Sequence, residues 1–562
     1  MSCILGQSDP EQSLGAFKFA IDDMARLRRF LVLGVESACY CKGEVEVGLD
    51  NAKALYRLLT GSLAEPMASS VAINRGLECV QLIVEYATEG RCAKQNPLVF
   101  ALAMCARYGD TATRKAVFAA LPQVCSIPTT LFSFIEYLKL LRQGGTKGWG
   151  RLQRAGIAAW YNEQDAMRLA HSLTKYRLRK GWRHKDVLRL CHVVPSSNAH
   201  QLCFQHVAVP KIGALGPADR LARAESKEDD AKAKAVAAFL SAAARARVCT
   251  DEAMLVELIT KHGLVREHVL NTMLGRPGVW RALLRDMPLT ALMRNLNKMT
   301  SIGLFDQNNV SGVDAGEASS VQQMVELVVQ KLTCEEGLKR ARIHPFNVLV
   351  SLSTYTNGQG FKGDLRWQPV PAIVAALEQA FTLSFRYVTP TGKRLVLALD
   401  VSGSMSSSMM GSPLSSREAA AAMLMTFLRT EEHCRVLAFC HHLVDLPFTA
   451  QSTLSEIVKH TEQLLFGMTD CAQPMLWAEQ TGVQADAFLV FTDSETNSGT
   501  ISPAQALRQY RAKMGIDAQL VVLATASTGF SIADPSDGGM MDVAGMDSAV
   551  PALISNFLGG KI

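Results

Sequence analysis

Arg394-Leu395-Val396-Leu397-Ala398-Leu399-Asp400-Val401-Ser402-Gly403-Ser404 reads as a buried strand that stops at a carboxylate and turns into a hydroxyl-rich loop. Five apolar residues in a row, without alternation, mark a strand covered on both faces, as in parallel sheets flanked by helices. The same rhythm recurs outward from it. An Ala-rich helical segment over 415–430 follows the Ser/Gly/Met loop, then a strand over 435–439 and another over 487–491 that ends in Thr492-Asp493. A helix over 503–513, a strand over 518–523 and a closing helix over 548–558 complete the series, with Pro551 tolerated in the first turn of the last. Strands and helices in alternation predict a parallel, doubly wound α/β sheet.

In such sheets ligands collect beyond the carboxyl ends of the strands. Asp400, Ser402 and Ser404 sit at alternate positions of a tight loop, so one carboxylate and two hydroxyls can converge on a hard cation, Mg²⁺ first and Mn²⁺ second. Thr469, within Gly467-Met468-Thr469-Asp470, offers a third hydroxyl from a second loop, and Asp493 can bind through a water. This D-x-S-x-S, then T, then D pattern is that of the metal-ion-dependent adhesion site, and residues 391–562 resemble a von Willebrand factor A domain. The resemblance implies a divalent cation with an open coordination position that an acidic side chain of a protein partner can fill. Met468 departs from the family, which often has a second Gly there, and is expected to narrow the entry or alter the loop. On residues alone, a Ser-rich turn capped by an Asp, holding no metal, is the alternative.

The chain has 562 residues, enough for more than one core. Hydrophobic residues at 48% and charged residues at 20% are an ordinary globular balance, which excludes wholesale disorder. No uncharged apolar run reaches the ~18–20 residues that cross a bilayer, and Met1–Gly6 does not open like a signal peptide. The 14 cysteines are scattered, and the one tight pair, Cys39 and Cys41, has no second pair at zinc-ligand spacing. They read as reduced thiols of a cytosolic-type compartment. Charge is uneven: residues 391–562 hold 10 Lys and Arg against 17 Asp and Glu, a balance of −7, and the formal +6 of the whole chain leaves +13 for 1–390. A basic part suggests a polyanion, an acidic part a cation or basic partner.

From Asp22 to about Val370 the pattern is helical. Apolar residues recur at three and four, as in Met24, Leu27, Leu31 and in Val80, Ile83, Tyr86. Breaks fall at Gly90-Arg91, Gly109-Asp110, Gly144-Gly145, Gly181, Pro195-Ser196-Ser197, Gly263 and Pro277-Gly278, a spacing that fits consecutive helices or helix pairs. Residues 213–248, rich in Ala and charge, read as a long exposed helix or a mobile insertion, and 306–318 as a loop.

Residues 168–192 hold eight Lys and Arg against one acid, Asp186, with three His, Tyr176 and Trp182 interleaved. Helical spacing puts Arg168, His171, Lys175 and Arg179 near one stripe, and Lys185, Arg189 and His192 on another. Two such faces joined at Gly181 could line a phosphate track while the rings stack on unpaired bases. Lys139, Arg142, Lys147, Arg151 and Arg154 extend the basic character upstream. A solvated basic face is the alternative on residues alone.

Several stretches resemble those of the TROVE-module RNA-binding proteins, the Ro 60 kDa autoantigen family. They are Asp23–Leu31, Gly148-Trp149-Gly150-Arg151, Ala159–Glu163, Gly181–Asp186, Leu264–His268, Met287–Leu292, Ala341–Phe346 and Pro390–Arg394. Residues 1–20 carry few ordering cues and read as a flexible tail; the resemblance implies a multidomain chain beyond it, an all-α HEAT-like helical-repeat ring over 21–368 and the α/β doubly wound von Willebrand factor A domain over 369–562. It implies an RNA scaffold and quality-control factor. Small noncoding Y RNAs would bind a basic outer surface, and single-stranded 3′ ends of misfolded noncoding RNAs would enter the central cavity. By motif match Lys175, Arg179 and His192 lead the candidates for RNA contact, followed by Arg183, His184, Lys185 and Arg189, with Lys139, Arg142 and Arg151 upstream. The family implies a monomeric protein within a ribonucleoprotein, cytoplasmic with a nuclear fraction. No enzyme is expected: there is no G-x-x-x-x-G-K-[ST] loop, and Asp400 with Asp493 is a poor match to a nuclease pair. The alternative function is a metal-dependent protein-interaction module, with RNA incidental.

Overall fold

In a computed structural model, residues 21–562 are described apart from 38, 42–46, 62–73, 93, 143–147, 209–226, 307–314, 361–362, 410–411, 465–466, 494–495, 497, 526–531 and 548. The expected tail over 1–20, the break at Gly144-Gly145, Lys147 and the first part of 213–248 lie outside the described residues. Among those described, no helix is long and apolar enough to cross a membrane. The chain divides into two compact units that interleave in sequence. One runs through Ala54 and takes in Arg91–Lys94 and Val328–Ile562; the other comprises Leu55–Gly90 and Gln95–Leu327.

The first unit is built on a seven-stranded sheet: β1 (Cys39–Cys41), β2 (Leu395–Asp400), β3 (Cys434–Phe439), β4 (Leu443–Asp445), β5 (Ala487–Thr492), β6 (Gln519–Ala524) and β7 (Met540–Ala544). Their spatial order is β1-β7-β6-β5-β2-β3-β4, parallel throughout except for the antiparallel β3–β4 hairpin. As predicted, β2 is buried at every position, and it lies inside the sheet. It lies between β3 and β5, so the strand order reverses at β2, the place where ligands of such sheets sit, beyond the strands' carboxyl ends. Helix Ser416–Thr430 follows the β2 loop behind a capping box, Ser415 Oγ accepting from Glu418 N at 3.1 Å and the Glu418 carboxylate accepting from Ser415 N at 2.8 Å.

Strands β1, β4 and β7 were not foreseen in the sequence. Strand β7 carries Asp542 in its middle, tolerated in a buried position because the carboxylate accepts from Ala533 N at 3.1 Å. Strand β1 pairs Cys39 with Asp542, Tyr40 with Val543 and Cys41 with Ala544. Buried Tyr40 donates to Asp547 Oδ2 at 2.9 Å, and buried Arg29, on helix Asp23–Leu33, donates to the Gly538 carbonyl at 2.8 Å. Thus residues 21–54 and 328–368, read in the sequence as helical module, sit with the sheet.

The second unit is helical. Helix Gly76–Glu89 packs on Thr111–Val124, Gln95–Tyr108 on Pro128–Leu140, Thr111–Val124 on Arg151–Asn162, Arg151–Asn162 on His184–Cys191, and Ala166–Lys175 on Asn198–Ala208. Contact between next-but-one helices is how stacked helical repeats build a continuous core. The expected stops hold locally: Gly90 and Gly263 end their helices in the left-handed region, and Asp110 caps the next helix through Thr113 N at 2.7 Å. Two readings are corrected. Helix Lys227–Ala246 is not an exposed helix: Ala233, Val236, Phe239, Leu240, Ala243 and Ala246 are buried, and it packs on the neighbouring helices Ala166–Lys175, Asn198–Ala208 and Glu252–His262. Small Ala side chains let those helices approach closely. The loop over 306–318 gives way to helix Ala315–Thr333.

Candidate nucleic-acid interface and metal centre

At the carboxyl end of β2, Asp400 is buried. Its Oδ1 accepts from Ser402 N at 2.8 Å and its Oδ2 from Thr492 Oγ1 at 2.7 Å. The Ser402 and Ser404 hydroxyls lie 3.0 Å apart, and Ser404 reaches solvent. Met405, fully buried, anchors the 3₁₀ turn Gly403–Ser406 that presents them. Asp493 follows β5 and is also buried; its Oδ1 has no hydrogen-bond partner among the described residues. Burial pushes the Asp400 carboxyl up to about 6, hydrogen bonds from Ser402 and Thr492 oppose that, and the nearby Asp493 charge adds to it. Thr469 is buried on the second loop, where its carbonyl accepts from Ser498 N at 3.1 Å. Two buried carboxylates, one with an orphaned oxygen, beside paired hydroxyls form an all-oxygen donor set that suits Mg²⁺. Met468 is 57% exposed and outside the left-handed region, so the loop does not require glycine there.

The basic surface departs from two helical stripes. Helix Ala166–Lys175 ends at Lys175, so Arg179 is not on its face. Residues 179–182 form a tight turn, with Arg179 N donating to the Trp182 carbonyl at 3.1 Å and Trp182 N returning to the Arg179 carbonyl at 2.8 Å. Lys180 (φ 49°) and Gly181 (φ 78°) are both left-handed, the backbone of a type I′ turn. Helix His184–Cys191 follows and closes on left-handed His192. Arg179, Arg183, Lys185, Arg189 and His192 are all exposed.

His184 is the exception and is corrected. It is 3% exposed, its Nδ1 lies 2.9 Å from the Tyr161 hydroxyl, and its ring packs 4.8 Å from that of Phe132. Burial lowers its pKa to about 3, so it is a neutral core residue with no path to a phosphate. Lys175 is held, its Nζ 3.5 Å from Glu267 Oε1 and 5.5 Å from the centre of the Tyr176 ring. The Arg179 guanidinium lies 5.8 Å from the centre of the same ring.

Lys139 joins this surface through one carboxylate, Glu136, and Arg142 through the Gly148 backbone. Glu136 pairs with Lys139 at 3.4 Å and accepts from Trp182 Nε1 at 2.8 Å, which fixes the turn to helix Pro128–Leu140. Trp149 lies 6.2 Å from Trp182, and Arg142 donates to the Gly148 carbonyl at 3.3 Å. Arg151 is exposed in the first turn of helix Arg151–Asn162, which has no side-chain cap and no acid there. A cation at that end opposes the helix dipole by about 0.3–1 kcal/mol, an arrangement that an anion relieves.

Sequence reading missed Arg247. It follows helix Lys227–Ala246 and donates to the Thr174 carbonyl. Burial lowers its pKa to about 10, with Arg177 close enough to lower it further. The same two arginines lower His206, after burial. Nothing short-range in the sequence joins 177, 206 and 247; helix packing does.

The family model for the TROVE domain matches residues 11–354, and that for the Ro60 vWA domain matches 394–558. A Caenorhabditis elegans protein named RNA-binding protein RO60 is 34% identical over 98% of this chain and 90% of its own length. A Deinococcus radiodurans protein of the same name is 34% identical over 99% of this chain and 97% of its own. The crystal structure of the Deinococcus radiodurans RO (RSR) protein superposes with a TM-score of 0.81 at 32% identity, covering 96% of this chain and all of that one. The chain therefore belongs to the TROVE-domain family of Ro60 proteins.

Proposed function

We propose that this protein binds structured noncoding RNA on the basic surface of its helical unit, as a scaffold and quality-control factor rather than an enzyme. The observation that carries the reading is the exposure of Arg179, Arg183, Lys185, Arg189 and His192 on one turn and helix, where Asp186 is the sole acid between 176 and 194. Such a face neutralises several phosphates at once and releases their counterions. The relatives named RNA-binding protein RO60 support it. The finer reading is that Y RNAs take this surface and that single-stranded 3′ ends of misfolded RNAs enter a central cavity, where stacking on aromatic rings is tolerant of sequence.

The Asp400 loop is the second site of the same proposal. Asp400, Ser402, Ser404 and Thr469 would hold Mg²⁺, or Mn²⁺, with Asp493 acting through a water, and exposed Ser404 marks the side from which an acidic partner residue completes the shell. Bound there, the cation supplies a Lewis-acidic anchor for that carboxylate. The alternative of a protein-interaction module with incidental RNA rests on this site alone.

A gel-shift titration of a hairpin RNA with a single-stranded 3′ tail tests the proposal, at two salt concentrations, with and without EDTA. Tight, salt-steep binding that EDTA does not change is expected. Replacing Arg183, Lys185 and Arg189 together with Ala should weaken it more than about tenfold and flatten the salt slope by roughly 2–3, since each lost phosphate contact removes about 0.7–0.9. Unchanged affinity and slope in the folded variant would refute the placement. No RNA binding by the intact chain would leave the alternative.

A further inference from the structure

We propose that Cys440, His441 and His442 form a second metal site, distinct in chemistry from the Asp400 loop, that takes a thiolate-preferring transition metal such as Zn²⁺. The three residues are the whole connection between β3, which ends at Phe439, and β4, which begins at Leu443. Cys440 N donates to the His442 carbonyl at 3.0 Å, so the connection is a closed turn that folds both rings back over the sulfur. Their donor atoms lie within 4.8 Å of one another. Cys440 Sγ is 3.4 Å from His442 Nδ1 and 3.6 Å from His441 Nδ1, and His442 Nδ1 is 3.3 Å from His441 Nε2.

The Cys440–His442 separation of 3.4 Å is close to what a tetrahedral ion needs, and His441 brings one nitrogen to each of the other two donors at a similar distance. With a zinc–sulfur bond of about 2.3 Å and zinc–nitrogen bonds of about 2.0–2.1 Å, tetrahedral edges come to about 3.3 Å between nitrogens and about 3.6 Å between sulfur and nitrogen. Since His441 meets the sulfur through Nδ1 and His442 through Nε2, binding requires its ring to turn until one nitrogen faces both, from separations of no more than 4.8 Å.

The surroundings hold this geometry. Cys440 is 1% exposed just past the end of β3, and its carbonyl accepts from Asp470 N at 3.1 Å. The His441 ring lies against the Gly467 backbone so closely that a Cβ at 467 would fall 1.8 Å from its Nδ1. Glycine at 467 therefore makes the space in which His441 sits over the sulfur. Cys440 and His442 also line a cavity of about 230 Å³ with Val401, Val444, Gln463 and Leu464, through which a water or exogenous ligand can take the fourth position. A thiolate with two imidazoles selects Zn²⁺ over Mg²⁺, whereas the carboxylate and hydroxyls of the Asp400 loop select the reverse. On binding, the Cys440 thiol gives its proton to solvent as the sulfur–metal bond forms, and both histidines bind as neutral imidazoles.

The test is a Co²⁺ titration of the reduced full chain, stripped of metal, in excess Mg²⁺ to occupy the oxygen site. One equivalent should produce a thiolate-to-cobalt charge-transfer band and the intense visible bands of tetrahedral cobalt, and Zn²⁺ should bleach both. His441→Ala and His442→Ala should each weaken binding more than about tenfold, since even loss of a group that orients a ligand costs 10–100-fold. Cys440→Ser should abolish the charge-transfer band. Because Cys440 is buried, the exposed His442→Ala variant carries the test if Cys440→Ser misfolds. Absence of the band in the intact chain overturns the proposal. So does a band that keeps its affinity in both histidine variants, which would assign the sulfur to another cysteine, exposed Cys41 or Cys334 among those described.

Discussion

The ion pair between Lys175 and Glu267 sets a sharper test of the RNA surface than deletion of another cation. The two groups are 3.5 Å apart with side chains 35% and 45% exposed. At such exposure the pair is worth about 0.2–1 kcal/mol. In the free protein it engages the Lys175 ammonium, and on the proposed RNA surface Glu267 places a negative charge beside it. Glu267→Gln keeps the shape and removes both effects. RNA affinity at low salt should rise by roughly 1.5–5-fold, the range that 0.2–1 kcal/mol spans. The salt slope should steepen by up to about 0.7–0.9 as Lys175 becomes available for a phosphate. A double-mutant cycle completes the argument: Lys175→Ala should cost more in the Glu267→Gln background than in the parent, by the pair's own energy. Gel-shift or anisotropy titration over several salt concentrations reads all four proteins. If Glu267→Gln lowers affinity, or Lys175→Ala costs the same in both backgrounds, Lys175 does not meet RNA.

His184→Ala should lower stability by about 1–3 kcal/mol in chemical denaturation, by leaving the buried Tyr161 hydroxyl without its partner, while RNA affinity per folded molecule holds. His268 is fully buried, donor or acceptor to Thr174 Oγ1 at 3.0 Å, and burial with nearby Arg247, His171 and Lys175 lowers its pKa to about 4. A histidine lowered in the folded state favours folding fully above the unfolded value near 6.5, and that contribution is lost as pH falls toward 4. The pH slope of stability in that window should flatten by up to about 1.4 kcal/mol per pH unit in His268→Gln. Mg²⁺ should stabilise the parent thermally, by about 2.7 kcal/mol at a hundredfold excess over Kd, but not Asp400→Asn, whose RNA affinity should match the parent's. Gly499→Ala should destabilise the second loop, because Gly499 is left-handed (φ 101°) and a Cβ there falls 2.6 Å from Asp470 Oδ1; thermal unfolding that matches the parent would contradict this.

What the sequence disclosed followed from locality. Strand β2 was legible because a strand buried on both faces has no alternation to confuse, and because its terminal Asp400 coincides with the switch point of the sheet. Strand β1 was not. Cys39-Tyr40-Cys41 is too short to carry a pattern, and its partner β7, some 500 residues on, hides behind the buried Asp542. Helix Lys227–Ala246 misled for the opposite reason: Ala beside Lys and Glu resembles a solvated helix, yet Ala is the residue that lets helices approach most closely. The sheet therefore borrows its edge strand from the other end of the chain, and a fragment beginning at 391 would lack β1 and the buried Arg29 contact.

The candidate RNA residues divide by the same logic. His184 and His192 are eight positions apart on one helix and its cap, and the motif match gave them one role. Their fates differ because Tyr161 and Phe132, from two other helices, enclose His184, while His192 caps the helix in solvent. Spacing states which residues share a stripe; it does not state which stripe a neighbouring helix covers. Conversely, Lys139 lies 43 positions from Trp182, yet both meet the Glu136 carboxylate, so tertiary packing joins charges that the sequence scatters. Arg247 reaches the end of helix Ala166–Lys175 in the same way. A polyanion bound there would be read by residues from four helices at once. Single substitutions on this surface should then shift affinity modestly and the salt slope by about one contact each, whereas a change that moves the helices, such as loss of the Glu136–Trp182 bond, should lower several contacts together.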